Sequence, residues 1–411
     1  MNLDDIVKEA ARCIDCKTKP CMVACPAHNN IPAFMKAVKN RQFEEARAIW
    51  HMTSNMPELC GNLCQNDTLC VGHCTLMKIK KPIQIGFVEA GIAQYFKDVV
   101  DYPTTKKNKT HLVIGLGPSG MANALKMKEL GYDVTCMDKQ DHIGGTVYNM
   151  VPDFRFDKVV LSDLTKKFEA LKIPIQYQVE VGRDVFLNDL AKTYDSIYIA
   201  HGLDSPQVVE VETSGVNPYY AVDLLDKHKY THEQLSSMLG NECAIVGLGN
   251  VAIDMARTLV RLGKSVTILY RRTIQEAPAG HHEIMDAVEE GVVIKELLGP
   301  IKFYKMGEAK FLDCEQNCLI RDPQSTRSII EKVKDSKISF ELDELIFATG
   351  QASTDSLFRN TGIKLLPEIS PYHTTLPHVF VGGDRVNRHK RIVDAMVSGL
   401  EVAAWIEKEN K

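Results

Sequence analysis

No stretch of this 411-residue sequence approaches the roughly 18 consecutive apolar residues that a membrane-spanning helix needs. Nor is one charge in excess. The 49 Lys and Arg stand against 53 Asp and Glu, a net charge of −4, which implies neither a nucleic-acid-binding surface nor attraction to an anionic membrane. The opening Met1-Asn2-Leu3-Asp4-Asp5-Ile6 is acidic where an export signal would be basic and then apolar. These absences predict a cytoplasmic chain with room for two or three domains and an ample core.

Cysteine is sparse beyond residue 74, where four of the chain's 12 occur. The other eight form two groups, Cys13-x2-Cys16-x4-Cys21-x3-Cys25-Pro26 and Cys60-x3-Cys64-x5-Cys70-x3-Cys74. Without an export signal, such a framework binds metal more often than it forms disulfides. Thiolates at these intervals can surround an iron–sulfur cluster, and Cys25-Pro26 has the form of the end of a bacterial ferredoxin run. A zinc ribbon would pair one C-x2-C with another, or with two histidines. The sequence offers neither, so iron–sulfur is favoured over zinc. Between the groups, Ile31–Lys39 and Phe43–Trp50 have the mixed polar and apolar pattern of short helices.

Two glycine loops organise the rest. His111–Gly120 reads as a buried strand, a G-x-G-x-x-G turn through Gly115, Gly117, Ser119 and Gly120, and the start of a helix over Met121–Leu130. A helix N-terminus behind such a turn offers free N–H groups to a pyrophosphate. The next strand, Val134–Asp138, ends in an acid placed to accept a ribose 2′-hydroxyl. The second loop, Gly247-Leu248-Gly249-Asn250-Val251-Ala252, follows strand Cys243–Val246 and leads into a helix over Ile253–Leu262 and a strand over Ser265–Tyr270. Gly115 precedes Asp138 by 23 positions, and Gly247 precedes Tyr270 by the same interval. The second loop therefore lacks the acid, and Arg271 and Arg272 follow at once. Guanidinium groups bind phosphate by paired, charge-assisted hydrogen bonds, which favours NADPH over NADH; a solvated basic pair is the bland alternative. Tyr194–His201 reads as a strand leading to Gly202. Near the end, strand Val379–Val381 runs into Gly382-Gly383-Asp384, with a helix over Ile392–Trp405.

These motifs resemble, in combination, the small electron-input subunit of bacterial glutamate synthase. The amino-terminal part of dihydropyrimidine dehydrogenase and its separate bacterial subunit share the plan. The resemblance covers nearly the whole chain and rests on Arg12-Cys13-Ile14-Asp15-Cys16, Cys21 to Cys25-Pro26, Ile31-Pro32-Ala33-Phe34, Cys60-Gly61-Asn62-Leu63-Cys64 and Pro82-Ile83-Gln84-Ile85-Gly86. It implies two 4Fe–4S clusters, one held by Cys13, Cys16, Cys21 and Cys74, the other by Cys25, Cys64, Cys70 and Glu89. Cys60 in place of Glu89 stays open. It further implies FAD on the first loop, with Gly145 beside the pyrophosphate, Gly383 and Asp384 at the ribitol, Gly202 at a neighbouring turn, and Arg155 either near the flavin or in a surface ion pair. NADPH would lie on the second loop. Glu276, Pro278, Ala279 and Glu283 would flank the nicotinamide, and Gly350 the junction of the two cofactors.

The fold expected is α/β with an all-helical amino-terminal domain: helices with two clusters (1–105), a flavin domain in two pieces (106–235 and 344–411), and a nucleotide domain inserted between them (236–343). No catalytic acid or base is implied, because hydride passes directly from nicotinamide to flavin. Electrons would leave singly through the clusters to a larger catalytic subunit, glutamate-synthase-like or pyrimidine-reducing. A disulfide reductase would need a cysteine pair beside the flavin, and Thr146–Met150 contains none.

Overall fold

Prolines and short polar runs divide the first hundred residues into short helices: Leu3–Ala11, Pro20–Ala24, Ile31–Lys39, Phe43–His51, Pro57–Leu63 and Ile85–Tyr95, with a 3-10 turn at Thr75–Ile79. Pro20, Pro32 and Pro57 lie at the starts of their helices, where a missing N–H breaks no helical bond. Ile6, Phe34, Met35, Leu59, Ile85 and Val88 are buried, and Phe34 packs on Trp50 with ring centroids 4.5 Å apart. Gly61 and Gly86 let helices Pro57–Leu63 and Ile85–Tyr95 meet backbone to backbone. A Cβ on Gly61 would lie 2.5 Å from Ala90 N, and one on Gly86 would lie 2.7 Å from Gly61 O.

The computed structural model describes residues 2–96, 106–322, 327–354, 356–358 and 361–409. The expected boundary at residue 105 lies outside them. The first glycine loop heads a parallel sheet ordered Val379–Val381, Ser196–Ile199, Thr110–Ile114, Asp133–Met137, Ile175–Gln176. Its central strands are buried on both faces, as parallel strands covered by helices require. Strand Val379–Val381 comes from the end of the chain, so the sheet closes only after a long excursion. Residues 1–148, 153–204 and 353–411 form one unit, which holds both the cysteine-bearing helices and this sheet. Within it, Asn55 Nδ2 donates to Ala122 O at 2.8 Å, and Ser54 Oγ to Met396 Sδ at 3.2 Å; Met396 lies on the last helix, Ile392–Glu409.

The excursion, with residues 149–152, is the second unit (205–352). Its parallel sheet is ordered Val293–Glu296, Ser265–Tyr270, Glu242–Val246, Glu344–Phe347, Tyr219–Tyr220. A second, largely antiparallel layer joins Leu298–Met306, Ala309–Ile320, Ile329–Lys332 and Ile338–Glu341, with Glu212–Ser214 parallel at one edge. Because Glu212–Ser214 pairs with Lys302–Tyr304 and Tyr219–Tyr220 pairs with Ile346–Phe347, the unit starts before residue 236 and ends after 343. Cys314 and Cys318 both lie on Ala309–Ile320. Four residues along a strand span about 13 Å, beyond the reach of a disulfide. Among the described residues, no helix is long and apolar enough to cross a membrane.

Candidate functional site

The cysteines expected to hold metal line two separate cavities. Cys13, Cys16, Cys21 and Cys74 surround one, with about 380 Å³ of empty space; Cys25, Cys64, Cys70 and Glu89 surround the other, with about 340 Å³. Ile31 is part of both walls. Four of the thiols stand at or next to helix ends, where the chain can turn sharply around a centre. Cys13 follows helix Leu3–Ala11, Cys25 closes helix Pro20–Ala24, Cys64 closes helix Pro57–Leu63, and Cys74 opens the 3-10 turn. Burial pushes up the Cys13, Cys25 and Cys70 thiols, and Cys21 to about 11. Without a cation, such buried thiols stay protonated; iron would favour the thiolates. Four soft sulfur donors around one cavity fit an iron–sulfur cluster.

The second cavity has three thiols of the expected set and one carboxylate. Glu89 is buried, its Oε1 has no hydrogen-bond partner, and burial, then the Cys64 thiol, holds its carboxyl well above the usual carboxylate range. A buried, unsatisfied carboxylate oxygen beside thiols is what a bound cation satisfies. Cys60 lines the same cavity, and its Sγ lies 3.7 Å from Met396 Sδ. Val393, from the same helix as Met396, completes the wall.

The first glycine loop is cut to glycine at its end: a Cβ on Gly120 would lie 1.8 Å from Gly115 O. Nothing lies within 4 Å of the Cβ position of Gly117, which leaves its backbone open to a phosphate. Two distant segments close on this loop. The Cβ position of Gly145 is 3.1 Å from Gly117 Cα, and that of Gly383 is 3.1 Å from Ser119 Cβ. Asp138 is buried, which raises its carboxyl, and it braces the loop: Oδ2 accepts from Leu116 N at 2.6 Å and Oδ1 from Gln140 N at 2.8 Å. Each oxygen keeps a further lone pair. The Ser119 hydroxyl is turned inward, 2.7 Å from the Tyr198 hydroxyl and 3.0 Å from Ser398 Oγ, which in turn accepts from Gly383 N at 2.8 Å. What Ser119 offers a ligand is its backbone. Asp384 Oδ1 is buried without a hydrogen-bond partner, and burial lifts the carboxyl to about 6. An orphaned acceptor beside this loop fits the hydroxyl-bearing chain of a flavin nucleotide. Gly202 has a left-handed φ of 71° with open space beside it, and Arg155 is half-buried in a turn.

In the second unit, Gly249 caps helix Asn250–Arg261, so Asn250 and Val251 form its first turn. The arginine pair is split. Arg272 Nη1 donates to Glu276 Oε2 at 2.7 Å and to Ser328 O at 2.6 Å, and Glu276 Oε1 accepts from Ser328 Oγ at 2.6 Å. Arg271 is exposed, and its guanidinium has no partner among the described residues. Tyr270 donates its hydroxyl to Glu276 O at 3.1 Å. Gly350, at φ 112°, faces Gln207, whose Oε1 is 3.0 Å from its Cβ position. Met396, Ser398, Tyr198 and Gln207, and Ile31 as a wall residue, belong to no site motif of the sequence. A buried polar or sulfur-bearing side chain within an apolar helix or strand was the only available signal for most of them.

Residues 1–100 match the family described as dihydropyrimidine dehydrogenase domain II, 4Fe–4S cluster, and residues 109–399 match the pyridine nucleotide-disulphide oxidoreductases. From Escherichia coli (strain K12), the putative oxidoreductase UacF is 30% identical over 96% of this chain, which spans 66% of that protein. The NADPH glutamate synthase small chain of the same strain is 29% identical, with 97% of this chain and 91% of that one covered. The NAD-dependent dihydropyrimidine dehydrogenase subunit PreT, also from that strain, is 28% identical, covering 97% and 93%. Among solved structures, Mycobacterium tuberculosis FprA in complex with NADPH superposes with a TM-score of 0.60 at 16% identity, covering 74% of this chain and 86% of that one, a likeness of fold.

Proposed function

The chain belongs to the pyridine nucleotide-disulphide oxidoreductase family, and from that premise we propose that it is an electron-input subunit, taking hydride from NADPH and delivering single electrons to a larger catalytic subunit. The partner would be of the kind served by the NADPH glutamate synthase small chain. The observation that carries this reading is the sorting of the eight ligand residues into two cavities, one of which has Val393 in its wall. Val393 opens the helix that follows the Gly383–Asp384 turn.

FAD, when bound, supplies the conversion of a two-electron donor into single-electron steps. The residues of this chain bind and orient. Gly117 and the N-terminus of helix Pro118–Glu129 receive a pyrophosphate, Gly145 and Gly383 leave it room, and Asp138 and Asp384 accept from hydroxyl groups. Gly247, Gly249, Asn250 and Val251 do the same for NADPH, with Arg271 on its 2′-phosphate. Cys25, Cys64, Cys70 and Glu89 hold the centre nearer the flavin turn. Cys13, Cys16, Cys21 and Cys74, three of them half-buried, hold the outer one. No proton-transfer residue is required. Among the described residues, no cysteine pair stands beside the first glycine loop to support disulfide chemistry.

The test is anaerobic purification with flavin, iron and sulfide analysis, followed by NADPH oxidation with menadione, an uncharged quinone. Bound flavin, about eight iron per chain and steady turnover are expected. Colourless protein after reconstitution would end the proposal.

A further inference from the structure

The chain as a whole is slightly acidic, but the two loops that enclose the outer cavity are basic. Residues 12–21 hold Arg12, Lys17 and Lys19 against one acid, Asp15; residues 74–81 hold Lys78, Lys80 and Lys81 and no acid. Arg12 ties the loops together: its Nη2 donates to Lys81 O at 2.6 Å and its Nη1 to Pro82 O at 3.3 Å, while Glu9 neutralises it at 2.6 Å. Five lysines are left over. None of their ammonium groups has an ion-pair or hydrogen-bond partner among the described residues. On these loops, Ile14, Met77 and Ile79 are 59%, 45% and 64% exposed, and Ile14 also lines the cavity. Unpaired lysines thus accompany three large apolar side chains that face water on the two loops carrying Cys13, Cys16, Cys21 and Cys74.

Charge compensation of a bound cluster does not account for this surface. The inner cavity carries Glu89 in addition to its thiols, and its wall has no lysine or arginine. Cations placed to offset thiolate charge would be needed there at least as much. Compensation also gives no reason to expose Ile14, Met77 and Ile79. Exposed apolar side chains interspersed with unpaired charges are instead what a protein interface presents, the charges steering the encounter and the apolar groups excluding water.

We propose that the lysine-rich, apolar-bearing surface of these two loops, which carry Cys13, Cys16, Cys21 and Cys74, is the docking face for an acidic electron-acceptor protein that presents carboxylates together with apolar side chains. It rests on the electron-input reading above and adds to it the place and the charge of the partner's face. Each NADPH oxidised yields NADP⁺, one proton and two electrons, which leave one at a time for the acceptor protein; a one-electron carrier used as a probe is therefore reduced two molecules per NADPH. Because the lysines act through solvent, their attraction is screened over about 8 Å at physiological salt. The association rate should therefore fall with ionic strength.

The experiment uses the cofactor-loaded full chain and the variant K17E/K78E/K80E/K81E, all four positions being exposed. Flavodoxin, an acidic one-electron carrier, and cytochrome c, a basic one, serve as acceptors over a range of ionic strength; menadione is the uncharged control. For the unaltered chain, flavodoxin reduction should slow as salt rises. In the variant, flavodoxin reduction at low salt should drop at least about 10-fold and cytochrome c reduction should rise, with menadione turnover and iron content unchanged. Salt-independent flavodoxin reduction by the unaltered chain overturns the docking face without recourse to any variant. So does a variant with normal iron content that reduces both proteins at unaltered rates. If the charge reversals cost iron, K17Q/K78Q/K80Q/K81Q replaces them, with the same signs expected at smaller size. Failure to oxidise NADPH with menadione would sink the electron-input reading instead, and the docking face with it.

Discussion

Met396 Sδ lies 3.7 Å from Cys60 Sγ and 3.2 Å from Ser54 Oγ, so the one early cysteine outside the assigned ligand sets packs against the helix that follows the flavin turn. All three residues are buried. Cys60→Ala should then keep the full iron complement, while Cys64→Ala should lose about half of it, four iron per chain. Glu89→Gln should weaken the same centre and change its electron paramagnetic resonance signal. Loss of iron from Cys60→Ala with Glu89→Gln unaffected would transfer the ligand role to Cys60.

Gly61 and Gly86 set how closely the helices bearing Cys60, Cys64 and Glu89 approach. In Gly61→Ala the methyl would meet Ala90 N at 2.5 Å, backbone that cannot yield without moving the helix carrying Glu89. Destabilisation of about 3 kcal/mol is expected, with selective loss of the inner centre. Iron analysis with a thermal melt separates this outcome from a neutral substitution.

Asp384 is held at about 6 against an ordinary 3.8, chiefly by burial. The folded apoprotein thus keeps a proton that the unfolded chain releases. Stability fully present below about pH 4 is lost as pH rises through 6, by about 3 kcal/mol in all. Asp384→Asn should remove this loss and raise the melting temperature of the apoprotein at pH 8 relative to pH 5, yet bind FAD more weakly. A variant whose melting tracks the unaltered protein at both pH values would exclude the carboxylate as the source.

The split arginine pair gives unequal expectations. Arg271→Gln should cut the NADPH-to-NADH preference about 10-fold, one charge-assisted hydrogen bond at an exposed site. Arg272→Gln should act mainly on the Glu276–Ser328 contacts and change the preference less than about threefold. Ratios of kcat/KM for the two nucleotides decide between them.

What the sequence disclosed was whatever spacing and glycine geometry encode directly. Gly115 to Asp138 and Gly247 to Tyr270 announce two strand–turn–helix–strand units because only glycine fits the turn and the strand lengths are set by the sheet. The resemblance sorted the cysteines into two sets, each of which lines a cavity of its own, and the motifs flanking Cys60 and Ile85 have a physical reason in the Gly61–Gly86 contact. The antiparallel layer over Leu298–Glu341 was not visible, since its strands pair by tertiary register and lack a helix-linked repeat. Nor could spacing show that Arg272 is occupied by Glu276, or that the Ser119 hydroxyl faces Tyr198. Those choices depend on partners distant in the chain.

Ile31 lines both thiol-lined chambers, so the two share a wall residue. A shared wall makes the chambers neighbours, so on the electron-input reading an electron passes between them without a further cofactor. The pair could then hold both electrons of one hydride at once, as a small capacitor that decouples the pace of nicotinamide turnover from the arrival of acceptors.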